Sequence, residues 1–303
     1  MSRIRSNSLN CPQASQSRGC RQICYLAGKL IGYQNRLSPG LAPMDAEAFR
    51  DFVLSVLSEE FPGEPFAPGE RFDAIRWRES EIGLHNLHAD AALVSAEPAS
   101  VRKTIIEHFS RIVKLTDVEL VTLPEHWDDA KDRVRLQIMP ASFRRAGVSV
   151  TYPFLDEVLI SIVVDALHGY AYVRAEDVDR WQIGLIDLYE AARENLEQAS
   201  RDLDVSYFPG PPAIVALDTN DGYAAARILL PSLRQFIGER LGHPFYAGIP
   251  NRDFLIMWSA DTEPEFQSRM RSQLLEDTQS RSHPLSARVL KVSTDSISAA
   301  DTR

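Results

Sequence analysis

The segment EVLISIVVDA, residues 157–166, constrains the fold more than any other part of the chain. It is apolar at nearly every position and rich in β-branched residues, the pattern of a strand that is covered on both faces. The sequence GYAYV follows closely and predicts a hairpin partner for it. Such a strand needs other elements above and below it, so the chain must place helices or a second sheet around a central hairpin.

Helical periodicity surrounds this hairpin. Phe49, Val53 and Val56 are spaced to lie on one helix face, and the sequence FPGEPFAPGE then ends that helix with three prolines and two glycines. Later stripes predict four further helices, whose apolar residues are Val101, Ile105, Phe109 and Ile112 in the first, Leu185, Leu188, Tyr189, Ala192 and Leu196 in the second, Leu233, Phe236, Ile237 and Leu241 in the third, and Phe266, Met270 and Leu274 in the last. Further strands are predicted at RFDAIRW, VRLQIMP, AIVALD, PFYAGI and DFLIMW.

The order of these elements predicts the fold class. Strands occur in pairs or singly between helices, without the strict alternation that a parallel sheet requires. We therefore expect an α+β fold of mainly antiparallel sheets with packed helices. The repeated strand-strand-helix layout leaves open a body of two lobes.

Charge and cysteine content separate an N-terminal tail from a body. Residues 1–43 have six basic and no acidic residues, and since the whole chain carries −9, the remaining 260 residues carry −15. We expect residues 1–43 to be a disordered basic tail, residues 44–295 to form the body, and residues 296–303 to be a C-terminal tail. Translation that begins at Met44 is an alternative explanation of the tail.

Two functions can be considered for the tail, a zinc site and a nucleic-acid-binding arm, and its residues fit neither pattern well. It holds Cys11, Cys20 and Cys24 with no histidine nearby, whereas a structural zinc site needs four ligands that are commonly spaced as close pairs. Its basic residues are not clustered and lack interleaved aromatic residues, so the tail is a poor nucleic-acid arm. We expect no metal, no cofactor and no nucleic-acid partner.

Missing motifs narrow the enzyme classes. The sequence has no GxxxxGK[ST] phosphate loop, no GxGxxG after a strand and no GxSxG elbow, and the body has no cysteine. No stretch approaches the roughly 18 apolar residues of a membrane helix, and the N-terminal apolar segment lacks a signal-peptide cleavage pattern. We expect a cytoplasmic protein without membrane contact.

Three segments resemble a known family. The sequences YVRAEDVDRWQIGLIDLYEAARENLEQ, LDTNDGYAAARILLP and GIPNRDFLIMWSAD are similar in order and spacing to the YtpQ family of bacterial proteins, and IGLHNLHADA fits its N-terminal part. The resemblance covers roughly residues 44–292. The family has no settled activity, so the resemblance implies a bacterial protein and a fold but no mechanism.

Two loops of the C-terminal part carry the candidate binding residues. They are Asp218, Asn220 and Asp221 in one loop and Asn251, Arg252 and Asp253 in the other. The first loop is not an EF-hand, because the sixth position lacks glycine and the twelfth lacks glutamate. Both loops are explained by turn formation and by a structural Arg-Asp pair, and an anion-binding or carboxylate site is the alternative. Since consecutive strands usually neighbour one another, we expect the loops to lie close together, with Arg252 answering the charge of Asp218 or Asp221.

A histidine pair forms a second candidate. His85 and His88 are three residues apart and so can share a helix face, with Asp90 close by, and such a pair could supply half of a metal site. Surface or core-edge histidines are the simpler interpretation.

These observations favour a non-catalytic module that binds a protein or a small ligand. The alternative is a metal-assisted or acid-base hydrolase that uses Asp218, Asp221 and Asp253 with Arg252.

Overall fold

A computed structural model describes residues 5–8, 44–78, 80–94, 98–114, 123–142, 149–166, 169–219 and 221–300. The chain divides into two compact units. Unit 1 comprises Met1–Asn35, Leu123–Gln279 and His283–Arg303, and unit 2 comprises Arg36–Thr122 and Ser280–Ser282. None of the described helices has the length and apolar character needed to cross a membrane.

The predicted N-terminal tail lies outside the described residues except for Arg5–Ser8. These four residues form strand β1, which pairs in parallel with a strand at Asp204–Phe208 of unit 1. The three cysteines are outside the described residues.

Unit 2 packs three helices against a small antiparallel sheet. Its elements are α1 (Ala46–Glu60), β2 (Phe66–Pro68), β3 (Ala74–Trp77), β4 (Ser80–Gly83), α2 (His85–Val94) and α3 (Pro98–Lys114). Asp45 caps α1 by accepting a hydrogen bond from Ala48 N at 2.8 Å. The predicted stripe of α1 is confirmed, since its apolar residues are buried together with those of α3.

Unit 1 contains five helices and ten strands among its described residues outside β1. The helices are α4 (Trp127–Ala130), α5 (Ala175–Trp181), α6 (Leu185–Ala199), α7 (Pro231–Leu241) and α8 (Pro264–Ser280), with a 3₁₀ helix at Ala225–Leu229. The strands are β5 (Val134–Pro140), β6 (Thr151–Pro153), β7 (Val158–Ala166), β8 (Gly169–Tyr172), β9 (Asp204–Phe208), β10 (Ile214–Asp218), β11 (Phe245–Asn251), β12 (Phe254–Ser259), β13 (Val289–Val292) and β14 (Ile297–Ala299).

These strands form two sheets. In the four-stranded sheet β7 is central, with β5 on one side and β6 and β8 on the other, so the predicted central hairpin β7–β8 is confirmed. The seven-stranded sheet has the order β1-β9-β10-β12-β11-β13-β14 and is antiparallel except at β1. Strand β14 lies in the stretch that the sequence assigned to a C-terminal tail. The protein is therefore α+β, with mainly antiparallel sheets and packed helices, as expected.

The main hydrophobic core of unit 1 combines buried residues of both sheets with those of the packed helices. Helix α6 buries Leu188, Ala192 and Leu196, as its stripe predicts, but Leu185 in its first turn is half exposed. Helix α8 packs on the seven-stranded sheet so closely that a Cβ at Gly248 would lie 2.3 Å from Leu274 Cδ2. A larger residue at that position of β11 would require the Leu274 side chain to move.

Candidate functional site

The two predicted loops of unit 1 lie side by side. Strand β10 ends opposite the start of β12, with Asp218 paired to Phe254 in the ladder. Beyond the ladder, Thr219 N donates to Asp253 O at 3.2 Å, and Ala225 N donates to Arg252 O at 3.1 Å. The prediction that these loops are neighbours is confirmed, and its cause is the antiparallel pairing of β10 with β12.

Asp221 binds an arginine that the sequence did not suggest. Its carboxylate forms a two-point ion pair with Arg227, with Arg227 Nη1 at 3.0 Å from Oδ1 and Nη2 on Oδ2. It also accepts hydrogen bonds from Thr219 Oγ1 at 2.7 Å and Tyr223 N at 3.1 Å. Burial alone would raise the pKa of Asp221, but the bonds to Arg227 outweigh it and bring the pKa to about 2. The expectation that Arg252 answers the charge of Asp221 is therefore wrong.

Arg227 is a buried residue that holds this loop in place through several hydrogen bonds. Its side chain is only 1% exposed, and besides Asp221 it donates from Nε to Ser200 Oγ and from Nη1 to Thr219 Oγ1, both at 3.0 Å. The signal that could have revealed it is a single charge inside the apolar run AAARILLP, because a buried guanidinium must be paired. These contacts explain why Asp221 is present: its carboxylate holds the turn in place.

Arg252 lies across the backbone of the same turn. Gly222 has φ of +82°, and a Cβ there would lie 3.3 Å from Arg252 Nε, so glycine serves both the turn and the contact. Arg252 Nη1 donates to the hydroxyl of Tyr170 at 3.2 Å, and Nε lies 3.5 Å from Asp253 Oδ1. The predicted Arg-Asp pair is thus between sequence neighbours.

The remaining predicted residues have turn geometry or lie outside the description. Asn251 Oδ1 accepts a hydrogen bond from Asp253 N at 3.0 Å, which closes the β11–β12 turn. Asp218 is the last residue of β10. Asn220 lies outside the described residues. Ligand binding by this loop pair stays a prediction.

Tyr170 of the four-stranded sheet and Tyr223 of the first loop connect the loops to that sheet, and no pattern in the sequence predicts this contact. The Tyr223 hydroxyl donates to Asp165 of β7, whose other oxygen lies 2.5 Å from Arg135 Nη1. The rings of Tyr170 and Tyr223 have centroids 6.2 Å apart. Burial and the bond to Asp165 raise the pKa of Tyr223, so its hydroxyl stays protonated and acts as a hydrogen-bond donor. These contacts connect the turn that contains Asp221 and Gly222 to the four-stranded sheet.

Unit 2 contains a pocket of about 220 Å³. It opens between the first turns of α1 and α2 and the turn before β3, and its lining residues are Ala46, Phe49, Phe72, Asp73, Leu84, His85 and His88. Phe49 and Leu84 are buried and form an apolar wall, whereas the Phe72 side chain is 65% exposed. Arg50 Nη1 donates to Phe72 O at 3.4 Å, which holds the backbone of this exposed ring in place.

The polar wall of the pocket is formed by the predicted histidine pair and Asp73. His85 and His88 lie in α2 and both line the pocket, so the prediction that they share a helix face is confirmed. His88 stacks on Phe49 with ring centroids 4.4 Å apart. Asp73 accepts two hydrogen bonds from Arg71, at 2.9 Å from Nε and 2.6 Å from Nη2, and these lower its pKa. The Asp73 carboxylate is therefore ionised at neutral pH.

Phe72 and Asp73 are not predicted as site residues, because the segment RFDAIRW has the pattern of a single strand. The ladder of β3 begins only at Ala74, opposite Gly83. Asp73 O accepts a hydrogen bond from Leu84 N at 2.8 Å, and the Arg71–Asp73 pair closes the preceding turn. The strand prediction is three residues too long at its start.

The described residues of the two loops and of the pocket do not form the ligand set of a metal centre. Within the described residues, no group of three or more His, Cys, Asp and Glu side chains is arranged to hold a metal ion. Asp90 belongs to α2 but is not a lining residue of the pocket. The chemistry available in the pocket is hydrogen bonding by imidazoles, one carboxylate charge and contact with two aromatic rings.

Comparison with known proteins found no matching family, no matching curated protein and no matching solved structure. The resemblance to the YtpQ family stays a prediction.

Proposed function

We propose that this protein is a cytoplasmic, non-catalytic module that binds a small ligand in the pocket of unit 2. The observation that carries the proposal is Phe72, a large ring left 65% exposed at the edge of a concave surface. Concave sites with an apolar wall and a few convergent polar groups are the common form of ligand sites. Covering the exposed part of a phenylalanine contributes about 1–2 kcal/mol, so the ring favours occupation of the pocket.

The volume of the pocket limits the size of the ligand. Pockets for drug-sized molecules measure about 300–1,000 Å³, and this pocket, at about 220 Å³, is smaller. It suits one ring or one branched alkyl group with a short polar substituent. Such a ligand binds with a Kd of about 0.1–1 mM, since few atoms make contact.

A binding role has more support than the hydrolase alternative. That alternative uses the carboxylates of Asp218, Asp221 and Asp253, and Asp221 is already bound by Arg227. In the pocket, both oxygens of Asp73 accept hydrogen bonds from Arg71, which suits a fixed charge better than a proton carrier. The acidic body and the apolar lining also favour a small molecule over nucleic acid.

The test is a titration of the full-length protein with three compounds that share a benzyl or phenyl group: benzyl alcohol, benzylamine and benzoate. We expect saturable binding of at least one compound, measured from the changes that it causes in the NMR spectrum of the protein. Phe72→Ala should weaken that binding about five- to tenfold, the factor that corresponds to 1–1.4 kcal/mol. The matched control is Ile186→Ala in unit 1, which removes another exposed apolar side chain, 78% exposed, and should leave the affinity unchanged. Equal weakening by both variants, or no saturable binding by any compound, would refute the proposal.

A further inference from the structure

We infer that the pocket of unit 2 selects a small organic cation, such as a primary amine on a single ring or a branched alkyl group. This inference rests on the proposed function and adds the charge of the ligand to it.

The surroundings of the pocket are acidic. Between Asp45 and Asp90 the chain has eleven acidic and four basic residues. In sequence, Asp45, Glu47 and Asp51 flank the lining residues of α1, and the carboxylates of Glu47 and Asp51 share the guanidinium of Arg50 at 3.3 and 2.8 Å. Local potential of this sign raises the concentration of cations at the pocket and lowers that of anions.

Asp73 supplies the charge within the pocket itself. The two hydrogen bonds from Arg71 fix the orientation of its carboxylate, and a carboxylate has about four acceptor positions, so further positions remain for an ammonium group. Arg71 offsets part of this charge through its two-point ion pair with Asp73, so the carboxylate attracts a second cation less strongly than a free carboxylate would. A ligand anion would instead face the Asp73 carboxylate at short range.

The remaining walls supply further contacts for a ligand with an ammonium group. The exposed face of Phe72 can bind an ammonium group by a cation–π contact, which contributes about 0.5–1 kcal/mol at exposed sites. The ring nitrogens of His85 and His88 add hydrogen-bonding groups to the same pocket. Phe49 and Leu84 are buried and give the apolar part of the ligand a dry surface.

The experiment compares benzylamine, benzyl alcohol and benzoate on the full-length protein near pH 8, where benzylamine is protonated and benzoate is ionised. We expect benzylamine to bind about tenfold more tightly than benzyl alcohol, and benzoate to bind most weakly. Asp73→Asn should abolish the preference for benzylamine over benzyl alcohol. The matched control, Asp51→Asn, removes the same charge outside the pocket and should change the preference by about twofold at most.

A variant that is expected to bind benzylamine more tightly distinguishes a local effect from a loss of folding, because an unfolded protein would bind more weakly. Arg71→Gln removes the guanidinium that covers the Asp73 carboxylate, and it should strengthen benzylamine binding several-fold. If benzyl alcohol or benzoate binds as tightly as benzylamine, and Phe72→Ala still weakens that binding, the cation inference is wrong and the proposed function stands. A preference that survives Asp73→Asn, or a loss of benzylamine affinity in Arg71→Gln, also overturns the inference. Absence of saturable binding by all three compounds overturns both.

Discussion

The ion pair of Asp221 with Arg227 leads to a prediction in which removal of the more exposed partner is the more damaging change. The Asp221 side chain is 41% exposed, whereas that of Arg227 is 1% exposed. Asp221→Ala leaves a buried guanidinium without its counter-charge, and such a loss costs about 3–5 kcal/mol. Arg227→Met leaves a carboxylate that water can hydrate, and methionine keeps apolar volume in the core, so we expect a cost of about 1–2 kcal/mol.

The double variant Asp221→Ala with Arg227→Met tests the contact itself. Because the second substitution removes the uncompensated charge that the first one creates, the double variant should be more stable than Asp221→Ala alone. The coupling free energy from the cycle should be about 2–3 kcal/mol. The assay is urea unfolding followed by circular dichroism, with the slope m compared between variants to confirm that the same surface is exposed.

A second cycle provides the control. Arg252 lies across the same turn but binds Tyr170 and Asp253, so Arg252→Ala and Asp221→Ala should be nearly additive. The reasoning would be refuted if Arg227→Met cost more than Asp221→Ala, or if the costs of the two single variants simply added up in the double variant.

Two further predictions concern the core and the acid limb of stability. Leu196→Ala should lower the free energy of unfolding by about 2–4 kcal/mol because Leu196 is fully buried, while Glu194→Ala, at a position whose side chain is 73% exposed, should change it by about 0.5 kcal/mol or less; equal urea midpoints would contradict the packing of α6. The pKa of Asp221 is about 2 in the folded state, below the usual 3.8, so its contribution is present above pH 5 and is lost as the pH falls towards 2. Since the side chain is partly exposed, screening reduces this contribution to about 1–1.5 kcal/mol, and the loss should be absent from the Asp221→Ala, Arg227→Met double variant; identical pH dependence in both proteins would disprove it.

The sequence alone determined the buried faces of the most periodic elements. The stripes of α1 and α6 and the apolar run of β7 have periods that follow from helix and strand geometry, so they can be read without knowing any neighbour. The turn chemistry of Gly222 and Asn251 is equally local. Even the closeness of the loops after β10 and β11 could be predicted, because strands near in sequence usually pair.

The tertiary structure alone decided which side chains meet. Arg252 binds Tyr170, which is 82 positions away, and Tyr223 binds Asp165 at a separation of 58. Likewise, the pocket exists because the turn at Phe72 and Asp73 is brought against the first turns of α1 and α2. A periodic pattern specifies the face of an element but not the partner of that face. Partner choice depends on how the elements pack, and single polar contacts of about 1 kcal/mol leave no periodic trace in the sequence.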